Sequence, residues 1–270
     1  MKILLTGGTG FIGSELLKLL TTHHVVLLTR SPQKAKQQLQ HADVGNIEYI
    51  DSLDQLADLN HIDAIINLAG EPIADKRWTQ KQKDKICKSR WKITEQIVEL
   101  IHASTKPPSV FISGSAVGYY GDQQEHPFDE CLHVNSEAFT HLVCEKWEQI
   151  AKRAESEDTR VCLLRTGVVL GPNGGALAKM LLPYKLGLGG PLGNGKQYLP
   201  LDSYPGHGAC HHVFTEYPSC PRRVQHVCPA SSKQSHFQRD ISKNPETTAH
   251  TIHTSVAHGV GDGRISLSVV

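Results

Sequence analysis

Three glycines near the start of the chain have the spacing of a phosphate-binding turn. Gly7, Gly10 and Gly13 follow a short apolar run and precede a helical stretch at residues 14–21. Glycine permits a tight turn and a close approach of the backbone, and a helix N-terminus offers N–H groups and partial positive charge to an anion. This strand–turn–helix context predicts a dinucleotide pyrophosphate site. A glycine-rich turn without a ligand is the alternative.

A segment rich in hydroxyl groups follows a later predicted strand. Residues 110–113 read as a strand that runs into Gly-Ser-Ala-Val-Gly-Tyr-Tyr-Gly at 114–121. Ligands bind at the carboxyl ends of the strands in an open α/β sheet. Ser115 is therefore placed to hydrogen-bond a substrate carbonyl or hydroxyl, and Tyr119 or Tyr120 to supply a phenol. The alternative is that these side chains only pack, with satisfied hydroxyl groups.

A basic residue lies at the position where NAD-binding proteins have an acidic one. The acidic residue selects a cofactor without a 2′-phosphate. The predicted strand at 24–29 is followed by Arg30, with Lys34 one turn into the next helix. NAD-binding chains have an Asp or Glu about 20 residues after the glycines, whereas a guanidinium pairs with a 2′-phosphate. We therefore predict NADP as the cofactor. A solvated surface arginine is the alternative.

Small residues follow the strand predicted at 63–68. Ala69 and Gly70 stand at its end, where they would let the backbone approach the ribose and phosphates of a cofactor. An ordinary turn at a strand end is the alternative.

These candidate residues belong to a regular alternation of strands and helices. Strands are predicted at 2–6, 24–29, 47–50, 63–68, 110–113 and 161–166, with helical stretches between them. The alternation predicts an α/β fold with a Rossmann-type doubly wound parallel sheet. On the helical stretch 76–104, the predicted buried face consists of Ile86, Ile93, Ile97, Leu100 and Ile101.

Composition argues against several classes of protein. The net charge of the 270 residues is +1, so no overall field favours nucleic acid or a membrane surface. No apolar run reaches the roughly 20 residues of a membrane span. The first strand begins at once, and Cys87, Cys131, Cys144 and Cys162 are scattered in predicted elements. We therefore expect no signal peptide, reduced thiols and a cytoplasmic location.

Four motifs together resemble the extended short-chain dehydrogenase/reductase superfamily. They are Thr-Gly-Gly-Thr-Gly-Phe-Ile-Gly at 6–13, Asn-Leu-Ala-Gly at 67–70, Ser-Ala-Val-Gly-Tyr-Tyr-Gly at 115–121 and Leu-Arg-Thr-Gly-Val-Val-Leu-Gly at 164–171. Within the superfamily the chain is similar to the branch of nucleoside-diphosphate-sugar epimerases. The resemblance covers about residues 1–200.

The resemblance implies specific roles around an NADP cofactor. Gly7, Gly10, Phe11 and Ile12 would wrap the pyrophosphate, and Arg30 would hold the 2′-phosphate. The ribose side would be lined by Leu68, Ala69 and Gly70. Ser115 matches the serine that holds the reacting oxygen in the superfamily.

The chain departs from the superfamily at its acid–base pair. The superfamily carries Tyr-x-x-x-Lys on the helix after the serine segment, where the tyrosine exchanges a proton. Here the matching positions are Phe139 and Val143, which bring neither a proton nor a charge. The dyad is therefore absent. The residues left open as substitutes are Tyr119, Tyr120, His141 and Lys146.

The composition changes after about Leu199. Half of the chain's 16 histidines lie in the stretch 201–270, together with Cys210, Cys220 and Cys228, and apolar periodicity disappears. The His and Cys spacing fits no standard zinc pattern, so we expect no metal site. A natural disordered extension remains as a second interpretation.

A shifted reading frame is the interpretation we favour for this tail. Removing one base from a permitted coding of residues 201–208 gives Trp-Ile-His-Ile-Gln-Asp-Met-Val, and the resembled family has Trp-Ile-His-Ile-x-Asp at this place. The predicted domains are therefore an NADP-binding Rossmann domain at 1–172, a glycine-rich lid or substrate segment at 173–200, and an irregular or disordered tail at 201–270.

The sequence leads to one functional hypothesis and one alternative. The first is an NADP-dependent oxidoreductase or epimerase of the extended short-chain type. It would act on a sugar-nucleotide-like or small carbonyl or carbinol substrate. The alternative is a non-catalytic NADP(H)-binding or regulatory protein. The expected partner is a small molecule, with no nucleic acid and no membrane, and a homodimer is left open.

Overall fold

The structure is a computed structural model that describes residues 1–40, 42–124, 126, 128–171 and 174–190, and the backbone of four short strands beyond them. The first ten elements are β1 (Lys2–Thr6), α1 (Phe11–Leu19), β2 (His24–Leu28), α2 (Pro32–Leu39), β3 (Asn46–Ile50), β4 (Ala64–Asn67), α3 (Gln80–Ala103), β5 (Val110–Ala116), α4 (Phe139–Lys152) and β6 (Arg160–Thr166). The remainder are β7 (Val168–Gly171), α5 (Gly175–Lys185), β8 (Tyr198–Leu199), β9 (Leu201–Ser203), β10 (Arg223–His226) and β11 (Ser232–Lys233).

The central sheet has the doubly wound order that the sequence predicts. Its strands run β10-β6-β5-β4-β1-β2-β3, and every neighbouring pair is parallel. The order reverses between β1 and β4, and the crevice at such a switch point is where dinucleotides bind. The predicted Rossmann-type α/β fold is confirmed.

Two small pairings lie outside this sheet. β7 pairs with β9 in parallel, and β8 pairs with β11 in antiparallel fashion. Three short strands, β9, β10 and β11, fall within 201–270, where the sequence predicts no regular element. The other residues of that tail, with the predictions made for them, lie outside the described residues.

The apolar core consists of two layers, one on each face of the sheet. Leu5 of β1 packs with Leu16 of α1 on one face. Leu4, its neighbour in the strand, packs with Ile97 of α3 on the other. Central parallel strands are covered on both faces, which explains why they read as continuous apolar runs rather than as alternating ones.

Helix α3 buries a face slightly rotated from the predicted one. Ile86, Ile97 and Ile101 are buried as predicted, but Ile93 and Leu100 are only half-buried. The additional buried positions are Gln82, Thr94 and Val98. The apolar pattern missed Thr94 because its hydroxyl is buried in a hydrogen-bond network, described below. In the described part of the chain, no helix is both long enough and apolar enough to cross a membrane.

Candidate functional site

The glycine turn packs directly against the end of β4. Gly7 has φ +72°, and a Cβ on it would lie 2.6 Å from the carbonyl oxygen of Leu68. A Cβ on Gly13 would lie 2.4 Å from the carbonyl oxygen of Gly7. The Gly10 amide closes the turn by donating to the Gly7 carbonyl at 2.9 Å. Only glycine at positions 7 and 13 permits this close passage of the chain from β1 into α1.

The N-terminus of α1 faces the crevice between β1 and β4. Gly10 is its N-cap and brings no side chain, and the first turn has no acidic residue. Ile12 is half-buried. The Phe11 ring packs where a Cβ on Gly174 or Gly175 would stand, 2.7 and 2.8 Å from the nearest ring carbons. The Phe11 side chain therefore packs against the start of α5. Only the main chain of Phe11 would then be available to contact a phosphate.

Arg30 lies just beyond the carboxyl end of β2 and is exposed, as is Lys34. Among the described residues, no hydrogen bond or ion pair involves the Arg30 guanidinium. Helix α2 is tied to the glycine turn because Gln38 Nε2 donates to the Thr9 carbonyl at 3.2 Å. This arrangement leaves a free cation on the β2 side of the switch point.

A buried polar network fixes the end of β4. Thr6 Oγ1 donates to Asn67 Oδ1 at 2.6 Å, and Asn67 Nδ2 donates to Thr94 Oγ1 at 2.9 Å. The Ala69 amide donates to Thr6 Oγ1 at 3.1 Å, and Trp147 Nε1 donates to Thr94 Oγ1 at 2.9 Å. The segment 68–70 is thereby held beside the glycine turn, with Gly70 exposed.

Ser115 stands at the end of β5 in a buried charged cluster. Its hydroxyl donates to Glu148 Oε1 at 2.7 Å. Arg165 binds the same carboxylate with two donors, Nε to Oε1 at 2.7 Å and Nη2 to Oε2 at 2.8 Å. The side chains of Glu148 and Arg165 are only 1% and 2% exposed. The paired carboxylate therefore fixes the direction of the Ser115 hydroxyl hydrogen.

The two candidate tyrosines differ in what their rings and hydroxyl groups contact. Tyr120 is fully buried, and its hydroxyl accepts from Arg165 Nη1 at 2.9 Å. Burial raises the pKa of Tyr120. The Tyr119 ring lies 3.7 Å from the Arg165 guanidinium carbon and is 7% exposed. Tyr119 is therefore nearer to solvent, whereas Tyr120 supports the cluster.

The other open substitutes for the acid–base pair lie on α4. His141 is buried, its Nδ1 bonds the Tyr119 carbonyl, and its Nε2 lies 3.7 Å from Glu145. Lys146 places its Nζ 4.3 Å from the Trp91 ring centroid. Of the two, only His141 contacts the segment that carries the tyrosines.

Phe139 and Val143, which replace the superfamily dyad, do not present polar atoms to the site. The Phe139 ring packs edge-on against Trp78, with centroids 5.2 Å apart, and Val143 is buried.

Sequence reasoning missed Glu148 and Arg165. The available signals were an arginine inside an otherwise apolar strand and an acid beside Trp147 on the apolar face of α4. Among the described residues, no group of three or more His, Cys, Asp or Glu side chains could hold a metal. The histidines and cysteines of the tail lie outside the residues whose side chains are described.

The sheet order and the glycine turn at its switch point define a Rossmann-type dinucleotide-binding protein. The sequence profile of the NAD dependent epimerase/dehydratase family matches residues 3–197, and the chain belongs to this family. This membership confirms the resemblance of its four motifs to the extended short-chain dehydrogenase/reductase superfamily.

Two sequence relatives are named as epimerase family proteins. The chain is 39% identical over 202 residues to the chloroplastic epimerase family protein SDR39U1 homolog of Arabidopsis thaliana, which is 73% of this chain and 57% of that protein. It is 38% identical over 205 residues to the epimerase family protein YfhF of Bacillus subtilis. That match covers 74% of this chain and 65% of YfhF. The matched segment thus spans about three-fifths of these relatives.

A solved structure has the same fold. The human epimerase family protein SDR39U1 (isoform 2), crystallised with NADPH, superposes with a TM-score of 0.77 at 32% identity. The superposition covers 90% of this chain and 79% of the human chain.

Proposed function

We propose that the protein is an NADP-dependent oxidoreductase or epimerase acting on a sugar-nucleotide-like or small carbonyl or carbinol substrate. The observation that carries the choice of NADP is the exposed guanidinium of Arg30 beyond β2, which has no partner among the residues that the structure describes. Such a group pairs with a 2′-phosphate through two parallel hydrogen bonds. The NADPH bound to the human relative supports the same choice.

The turn and the adjoining loop would hold the cofactor. Gly7, Gly10 and Gly13, with the main chain of Phe11 and Ile12, would contact the pyrophosphate at the α1 N-terminus. The main chain of Leu68, Ala69 and Gly70 would line the ribose side, because the network below β4 holds it beside the turn. The fit rests on the close passage of Gly7 against the Leu68 carbonyl, which places the main chain of the turn beside the end of β4.

The cluster at β5 would bind the reacting oxygen of the substrate. The nicotinamide supplies hydride transfer when it is bound. Ser115 gives its own hydrogen to Glu148, so its remaining lone pairs would accept a hydrogen bond from a substrate hydroxyl. Tyr119 is the better candidate for proton exchange, since the Tyr120 hydroxyl is buried against Arg165.

Turnover with a panel of nucleotide sugars and small alcohol–ketone pairs tests this proposal. Purified protein with NADP⁺ or NADPH is expected to oxidise, reduce or epimerise at least one compound, followed by absorbance and by NMR of the product. Ser115→Ala should abolish the activity. Ser109→Ala is the matched control. Ser109 lies just before the first residue of β5, at the end far from Ser115, and its hydroxyl donates to the Asp63 carbonyl. Cofactor binding without turnover on the whole panel would contradict catalysis.

A non-catalytic NADP(H)-binding protein is the second candidate. It is favoured by the packing of Phe139 against Trp78 and the burial of Val143, at the two positions where the superfamily has its acid–base pair. Under this alternative, NADPH binds with the same selectivity and Ser115→Ala has no activity to remove.

A further inference from the structure

Arg90 of α3 places its guanidinium against Gly70, an exposed residue three positions beyond the end of β4. A Cβ on Gly70 would lie 2.8 Å from the Arg90 Cζ and 2.9 Å from its Nη2, so a larger residue at position 70 would displace the guanidinium. Its Nη1 donates to the carbonyl oxygens of Glu71 and Ile86, both at 3.1 Å. Its Cζ lies 5.4 Å from the centroid of the Trp147 ring. The cation is therefore fixed in position beside the loop that follows β4.

Within the described part of the chain, no carboxylate neutralises the charge of Arg90. Among the described residues, no acidic side chain forms an ion pair with it. The Glu71 carboxylate instead binds Lys85, with Oε1 and Nζ 2.9 Å apart. Arg90 is half-buried, and burial lowers its pKa. Water and salt screen a half-buried charge less than an exposed one, so its field extends over the loop beside it.

The sheet order indicates which half of a dinucleotide would lie near Arg90. Each half of a doubly wound sheet takes one mononucleotide, on either side of the switch point. Arg30 marks the adenosine half, beyond β2. The nicotinamide half would then lie over β4 and β5, whose ends carry Gly70 and Ser115.

We propose that Arg90 makes the site prefer the reduced cofactor to the oxidised one. The inference rests on the proposed cofactor site. The oxidised nicotinamide ring carries a positive charge and the reduced ring is neutral, so a fixed cation nearby repels only the oxidised form. The phosphates and the adenosine are the same in both forms, and their contacts cancel in the ratio of the two affinities.

This preference would suit a reaction in which the same bound cofactor first accepts a hydride and then returns it. If the reduced cofactor is held more tightly, the oxidised cofactor becomes the stronger hydride acceptor by linkage. The reduced form would also dissociate less readily while an oxidised substrate is still bound.

Separate titrations with NADPH and NADP⁺ test the role of Arg90. The dissociation constants are measured calorimetrically for the unmodified protein, Arg90→Met, Arg90→Lys and the control Lys88→Met, an exposed cation on the same helix. We expect Arg90→Met to lower the preference for NADPH by about tenfold, as for one unit charge at a partly buried site. Arg90→Lys and Lys88→Met should keep it.

Several outcomes would overturn the inference. If Arg90→Met leaves the ratio of the two dissociation constants unchanged, Arg90 does not discriminate between the redox forms, whether or not both affinities fall. Should circular dichroism show that Arg90→Met is unfolded, Arg90→Gln takes its place with the same expected ratio. If the unmodified protein binds neither cofactor, the proposed cofactor site itself fails, which is distinct from binding without a redox preference.

Discussion

At the scale of single residues, Arg30 is the test of cofactor selectivity. Arg30→Ala should weaken NADPH binding by about 1.5–3 kcal/mol, the range for a hydrogen bond to a charged group, and leave NADH binding unchanged. Fluorescence titration with both cofactors measures this. Arg153→Ala, an exposed arginine at the end of α4, is the matched control. A variant that loses NADPH and NADH affinity equally would show that Arg30 does not contact the 2′-phosphate.

The Glu148–Arg165 pair gives a second prediction at this scale. Arg165→Met leaves the Glu148 carboxylate buried without its partner, so it should lower the free energy of unfolding by about 3–5 kcal/mol. Adding Glu148→Gln should recover part of that loss. Urea unfolding measures both. Lys2→Met, which breaks the exposed pair with Glu48, should cost less than about 1 kcal/mol. A similar cost for Arg165→Met and Lys2→Met would contradict the account.

The sequence was enough to single out some candidate residues, whose roles stay predictions. Arg30 and Ser115 could be named because each follows a recognisable strand, and strand ends meet at one edge of a parallel sheet. Glu148 and Arg165 were missed because their ion pair joins a helix to a strand. A hydropathy pattern considers one residue at a time and does not show which charged residues pair in the fold. Arg90 was missed for a similar reason. Its guanidinium lies against Gly70, which is 20 residues earlier in the chain.

At the scale of elements, the glycine turn and α1 act as one unit. Gly10→Val should abolish NADPH binding, because a branched side chain would occupy the approach to the α1 N-terminus. The fold should persist, since a Cβ on Gly10 would lie 3.1 Å from the Gly7 carbonyl oxygen, a contact that needs only a small shift. Calorimetry measures the affinity for NADPH, and circular dichroism measures whether the fold persists.

The control for this variant is Gly190→Val. A Cβ on Gly190 meets nothing within 4 Å, so NADPH affinity should remain unchanged. Unaltered binding by a folded Gly10→Val would instead remove the glycine turn as the phosphate site.

The strands were easier to predict than the helix faces. Central strands are buried on both sides, so their apolar runs are unambiguous. β5 extends to Ala116 rather than Ser113 because its last residues, although small and polar, still pair with β6. The face of α3 was misplaced by about one residue because the buried Thr94 and Gln82 do not count as apolar.

For the molecule as a whole, the division of the chain near residue 200 stays a prediction. The family match ends at residue 197, close to the change of composition after Leu199. We therefore propose that the tail is read in a shifted frame. Sequencing the gene across codons 195–205 should locate a one-base difference from the frame that encodes Trp-Ile-His-Ile-x-Asp. A coding sequence in which no single-base shift restores that segment would contradict this proposal.

We propose that the crevice between β1 and β4 binds NADP(H). A titration of the unmodified full chain with NADPH and with NADH under identical conditions tests this. We expect saturable, stoichiometric binding of NADPH and a markedly weaker affinity for NADH. Equal affinity for the two cofactors, or no binding of either one, would contradict it.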